Sequence, residues 1–347
     1  MTILDTNHIN ENKAFARPVI GTAILVFGIL LLIFSLMLSI SVGAASIDFA
    51  SVWRSVFQYD SAREADQIIG SIRLPRELGA AVVGAAFAVS GAIMQGITRN
   101  PLADPGLLGL NAGASLSLSL VFAFQTGFSY AFIMFMSFIG AGLGASMVFG
   151  LGSLSRGGMS PLRITLAGAA VSALLTALGE GIALYYKTSQ NLAFWTAGGV
   201  SGTTWLQLKF VFPIVAGGVI LAILFSRQLT ILSFGQEVAI GLGQRTGLTK
   251  AVLMLIVLIL AGVAVSLAGS IAFVGLMVPH IVRFLVGTDY RWIIPCSAVL
   301  GSILLVLADT AARMVNAPFE TPLGAIVSMA GFPFFLYLAR KRGRKLA

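Results

Sequence analysis

Two histidines, one cysteine and thirteen carboxylates are all that this chain of 347 residues offers to acid–base, nucleophilic or metal chemistry. His8 stands in the polar N-terminus and His280 follows Pro279, so the two lack the spacing of a zinc site or a metalloprotease helix. Cys296 excludes an internal disulfide and any multi-cysteine metal site, and its apolar setting reads as an inert core position. No Gly-Lys dipeptide occurs, so there is no phosphate-binding loop, and no Gly-x-Ser-x-Gly element marks a hydrolase nucleophile. The expected set of catalytic, cofactor-binding and metal-ligating residues is therefore empty.

Charge is costly in hydrocarbon, so the few charged residues near apolar runs become the functional candidates. Glu77, Glu180 and Asp309 each fall near the predicted outer end of such a run, where a side chain can snorkel cheaply. An ion-coupled secondary transporter usually needs a carboxylate near the midplane, and none is evident, which makes that the lesser reading. Arg73 and Arg76 are three residues apart and can share one helix face, and Arg313 follows a later run on the same side. They read either as anchors at the headgroups or as an external cationic patch.

Three segments are polar or turn-rich within this apolar chain. In the first, Arg73-Leu-Pro-Arg-Glu77 leads into Gly91-Ala-Ile-Met-Gln-Gly96 and then Asn100-Pro-Leu-Ala-Asp-Pro-Gly-Leu-Leu-Gly109, where Pro101 and Pro105 break any helix. The second, Ser233 to Gly243, predicts a short amphipathic helix bounded by glycines, which could rest on headgroups or be gripped by a soluble partner. The third, Gly269 to Arg283, contains Pro279, which frees a backbone carbonyl that neighbouring helices must satisfy. It reads as a hinge or as a packed bend.

These residues must be positioned by helices in a membrane. Hydrophobic residues make up 57% of the chain and charged residues 10%, where a soluble domain carries roughly 25% charged. The net charge of +9 does not suggest nucleic acid, because five of the 22 Lys+Arg lie in the last eight residues and the others stand singly between apolar runs. Runs of roughly 20 apolar residues give ten spans, at about 19–40, 77–97, 106–124, 130–152, 163–185, 208–226, 251–267, 271–287, 292–310 and 322–339. The 22 uncharged residues of Val19–Ile40 exceed the roughly 7–15 of a signal-peptide core, so the first run is expected to be retained. The division is a cytoplasmic tail (1–18), a transmembrane domain (19–339) and a basic cytoplasmic tail (340–347). Placing both termini inside puts 15 Lys+Arg on the cytoplasmic side, Arg156 among them, and seven outside. Many of the 39 glycines lie within spans, as in Gly140-Ala-Gly-Leu-Gly144 and Gly84, and predict close helix packing.

At the three segments the sequence resembles the FecCD/BtuC-type permeases of binding-protein-dependent ABC importers, which serve iron–siderophore and cobalamin uptake. The likeness is carried by Arg-Leu-Pro-Arg, Gly-Ala-Ile-Met-Gln, Asn-Pro-Leu-Ala-Asp-Pro-Gly-Leu-Leu-Gly, Phe-Gly-Gln-Glu-Val-Ala and Phe-Val-Gly-Leu-Met-Val-Pro-His-Ile-Val-Arg. It closes on Ala308-Asp-Thr-Ala-Ala-Arg313 and Glu320-Thr-Pro-Leu-Gly324. The resemblance implies an all-α polytopic fold of about ten spans with type II ABC importer permease architecture. It implies as partners two ATP-binding cassette ATPase subunits, a second permease subunit (identical or paralogous) and an extracytoplasmic siderophore-binding protein. It implies ATPase coupling through Gly235, Glu237, Ala239, Leu242 and Gly243, and binding-protein docking through Arg73, Arg76 and Arg313. Gln95, Gly168, Ser172 and Pro279 are candidate pathway or hinge residues. The cargo expected is ferric siderophore, with cobalamin or haem as the alternatives.

Overall fold

The computed structural model describes residues 17–42, 48–124, 127–153, 161–317 and 319–343. Most of both predicted tails, Arg156, and two residues between the predicted spans 106–124 and 130–152 lie outside the described residues. Among those described, the chain is helical and carries no strand: α1 (Pro18–Ser41), α2 (Phe49–Phe57), α3 (Glu64–Ile68), α4 (Leu74–Thr98), α5 (Leu110–Phe124), α6 (Tyr130–Ser153), α7 (Pro161–Tyr185) and α8 (Ser189–Thr196). There follow α9 (Trp205–Leu224), α10 (Ser226–Phe234), α11 (Gln236–Gly241), α12 (Thr246–Ala268), α13 (Val274–Val286), α14 (Tyr290–Met314) and α15 (Leu323–Gly343). Among the described residues, seven helices are long and apolar enough to cross a membrane, and three shorter apolar ones (Leu110–Phe124, Val274–Val286, Leu323–Leu338) accompany them. Each of the ten predicted spans falls on one of these helices.

Two boundaries differ from expectation. The second span begins well before residue 77, because α3 runs through a π turn at Ile69–Arg73 into α4 as one continuous helix, Glu64–Thr98. Asp66 is buried there and accepts from the Ser55 hydroxyl and the Asp60 N–H, so its charge is satisfied inside the fold. The eighth span is short. Gly269, at φ +69, and the unwound stretch after it delay α13 to Val274, and Gly287, at φ +89, ends it.

α4 is the axis of the bundle, with 83% of its apolar window buried against α14, α12, α13 and α9. Small residues allow this density. A methyl group on Gly84 would lie 2.2 Å from the Gly301 carbonyl oxygen of α14, and one on Gly91 only 1.8 Å from that of Gly275 in α13. In a membrane such backbone contact supplies the van der Waals attraction that holds helices together. The α5–α6 pair repeats the device at Gly113 and Gly140. Cys296 is fully buried in α14, its sulfur 3.6 Å from the Gly21 carbonyl oxygen of α1.

After α4 the chain turns sharply, as the prolines at 101 and 105 require. Leu102 N–H donates to Asn100 Oδ1 (3.1 Å) and Gly106 N–H to Asp104 Oδ1 (2.7 Å), which starts a single 3-10 turn at Pro105–Leu108. Burial pushes the Asp104 carboxyl above its ordinary range, with the Gly106 bond acting against it.

Candidate functional site

At one end of the bundle α1 finishes, α4 begins and α14 finishes, and three arginines meet three carboxylates. Arg76 donates from Nε to Asp309 Oδ2 (2.8 Å) and from Nη2 to Oδ1 (3.0 Å), a bidentate pair. Its Nη1 also reaches Glu320 Oε1 at 2.5 Å. Arg313 donates to Glu77 Oε1 (2.5 Å), to the carbonyl oxygens of Val42 (3.0 Å) and Ser39 (3.1 Å), and lies 3.2 Å from Asp309. Arg73, on the π turn, donates to the Ile40 carbonyl.

Sequence reasoning places these carboxylates where they could snorkel and these arginines on an outer face. The structure differs on both. Glu77 and Asp309 are 0% and 1% exposed, and Arg73 and Arg76 only 7% and 8%, so the charges neutralise one another inside the protein. Glu320, at 49% side-chain exposure, is the member that faces outward. Sequence reasoning passed over it as a partner for Arg76, because 244 residues separate the two and no local pattern joins them.

The other end of α4 lies about 37 Å away at 1.5 Å per residue. Arg99 closes the helix in the left-handed region, and a methyl group on Gly235 would come within 3.8 Å of its Nη1. Here α10 and α11 form a surface segment. Gly235 (φ +141) and Gly243 (φ +78) adopt backbone conformations that L side chains avoid, which is why glycine bounds α11. Ala239 is fully buried against its own chain, so of the predicted contact residues it is a packing residue that faces inward. Glu237 is exposed beside Val238, Ile240 and Leu242, the last at 67%. Lys250 Nζ bonds Gln236 Oε1 (2.8 Å) and Gln244 Nε2 bonds the Gln228 carbonyl (3.1 Å), pinning the segment to α12 and α10.

Gln95 and Pro279 come together in the core. Proline lacks the N–H that would bond the carbonyl four residues back, that of Gly275. Gln95 Nε2 supplies donors instead, to the carbonyl oxygens of Gly275 (3.3 Å) and Leu276 (3.1 Å). Its Oε1 accepts from Arg283 Nη2 at 3.3 Å. The carbonyl that the proline leaves free is thus partnered inside the bundle. Gly168 abuts the Leu107 carbonyl, where a methyl group would lie 1.9 Å from the oxygen, and Ser172 is half-buried one turn further along α7. The open face of α7 carries Leu166, Leu174, Leu178 and Leu184 instead.

The sequence pattern that defines the FecCD transport family matches residues 31–341. The chain is 53% identical over 323 residues to the iron(3+)-hydroxamate import system permease protein FhuB of Bacillus subtilis (strain 168), covering 93% of this chain and 84% of that one. It is 40% identical to the ferric enterobactin transport system permease protein FepD of Escherichia coli (strain K12), over 91% of this chain and 94% of the relative. Among solved structures, a metal-chelate type ABC transporter in an inward-facing conformation superposes with a TM-score of 0.80 at 29% identity, covering 92% of this chain and 99% of that one.

Proposed function

Since the chain belongs to the FecCD transport family, we propose that it is the membrane-spanning permease subunit of an ABC importer that carries ferric siderophore across the cytoplasmic membrane. The observation that carries this reading is the glycine-bounded α11 segment, which holds out Glu237, Val238, Ile240 and Leu242 at the end of α4 opposite the arginine network. Exposed apolar side chains around one carboxylate suit the cleft of a soluble partner better than lipid headgroups. The partner is an ATP-binding cassette subunit, since this chain carries no phosphate-binding loop of its own. Two such ATPases act on two permease subunits, with both termini of each permease in the cytoplasm.

ATP binding and hydrolysis move α11, the motion passes to the bundle, and the path between the two permeases opens to alternate sides. The unpartnered apolar face of α7 is the wall this chain gives to that path. At the outer end, acidic side chains of the siderophore-binding protein exchange with Glu320 on Arg76, so docking works through the rim of the buried network. Relatives at 53% and 40% identity are named for hydroxamate and citrate complexes of iron, and a hemin permease follows at 38%, so the balance of names supports siderophore, with haem as the alternative.

Reconstitution tests the reading. Proteoliposomes containing this chain, its second permease and the ATPase, with binding protein added outside, take up radiolabelled ferric siderophore only when ATP is enclosed. Uptake that persists without ATP and collapses with a protonophore would show an ion-coupled carrier instead.

A further inference from the structure

We propose that a largely apolar pocket beside the end of α7, with Glu180 in its wall, is a cargo subsite for ferric hydroxamates, in which Glu180 disfavours chelates of net negative charge. The inference rests on the importer reading above. The pocket encloses about 400 Å³ between α5, α7, α8 and the turn before α13, with Asn111, Ser115, Thr176, Glu180, Thr196 and Ser270 among its walls. At the small end of ligand-site volumes, which run from roughly 300 Å³ upward, it would grip one part of a chelate.

Two observations bear on its ligand. Glu180 is exposed on a helix whose neighbouring positions are apolar, Leu174, Leu178 and Leu184. It lines the pocket five residues before the end of α7, where a carboxylate can reach the polar rim of the bundle. The described lining also sets hydroxyls, an amide and one carboxylate among Leu192, Trp195 and three alanines, with no lysine or arginine.

The charge arithmetic of iron complexes then selects the class. Three hydroxamates, each a monoanion, neutralise Fe³⁺, and a pendant ammonium makes the complex cationic. Three catecholates, each a dianion, leave a charge of −3. A pocket with one carboxylate and no cation suits the first class and repels the second.

The test uses the reconstituted transporter with its own binding protein, and compares uptake of a neutral ferric trihydroxamate, a cationic one bearing an ammonium, and a ferric triscatecholate. Because the binding protein is common to all variants, changes in the ratio report on the permease. Glu180→Lys is expected to lower the cationic-to-neutral ratio by about fivefold, as reversing one charge several ångströms away in water would do, and Glu180→Gln by about half of that on a logarithmic scale. Thr176→Lys, one turn away on α7, should shift the ratio the same way and serves if Glu180→Lys fails to assemble. Ratios unchanged in variants that still transport with ATP would overturn the subsite. Failure of the wild-type complex to move any ferric chelate would overturn the importer reading, and the subsite with it.

Discussion

Asp309 lies between two guanidinium groups, and its loss would leave Arg76 and Arg313 buried with less than their opposing charge. Breaking a buried pair from one side costs about 3–5 kcal/mol. Asp309→Ala should therefore lower the unfolding temperature in detergent sharply or abolish the folded protein. Glu320→Ala removes a half-exposed partner and should cost no more than about 1 kcal/mol, read in the same thermal scan. If binding-protein carboxylates exchange with Glu320, Glu320→Gln should also tighten docking, measured as a lower binding-protein concentration at half-maximal uptake. Reversing Arg73 and Arg76 together, attractive from sequence as a docking probe, would instead strand buried acids and report mainly on folding. The residue types and their ends of the spans were legible in the sequence. Their pairing was not, because Arg76 finds Asp309 across 233 residues and only the packed bundle brings them together.

Gln95 and Pro279 link the residue to the helix. Gln95→Leu should cost about 1–3 kcal/mol, because it strands the Gly275 carbonyl. In a Pro279→Ala background the restored N–H can bond that carbonyl, so the same change should cost less, and a double-mutant thermal cycle would measure the difference. Close packing gives a second contrast. Gly91→Ala places a methyl group 1.8 Å from a backbone oxygen and should prevent folding, whereas Gly142→Ala meets nothing within 4 Å and should leave folded yield unchanged. Both glycines sit in similar small-residue clusters, so sequence marks the clusters as packing but does not say which glycine faces a neighbour. The spans themselves could be read from uncharged length. The early start of the second one could not, since Asp66 looks solvated until Ser55 is seen to hold it.

For the whole molecule, the two ends of α4 carry different surfaces, a neutralised charge network and an exposed apolar segment. Leu242→Asp combined with Glu237→Lys should abolish co-purification with the ATPase while leaving the unfolding temperature near that of wild type, since both side chains point outward. Ala239→Leu should do the reverse and destabilise the chain, because that position has no exposed surface. The deep burial of Cys296 has a practical consequence. Its sulfur is the chain's only one of its kind and is walled in by α1, so maleimide and methanethiosulfonate reagents would find no target on the native protein. A single cysteine introduced at Ala177, on the open face of α7, would then take a spin label or fluorophore in an otherwise unaltered sequence. Were the second permease of the proposed importer a copy of this chain, two such labels would report the width of the gap between them.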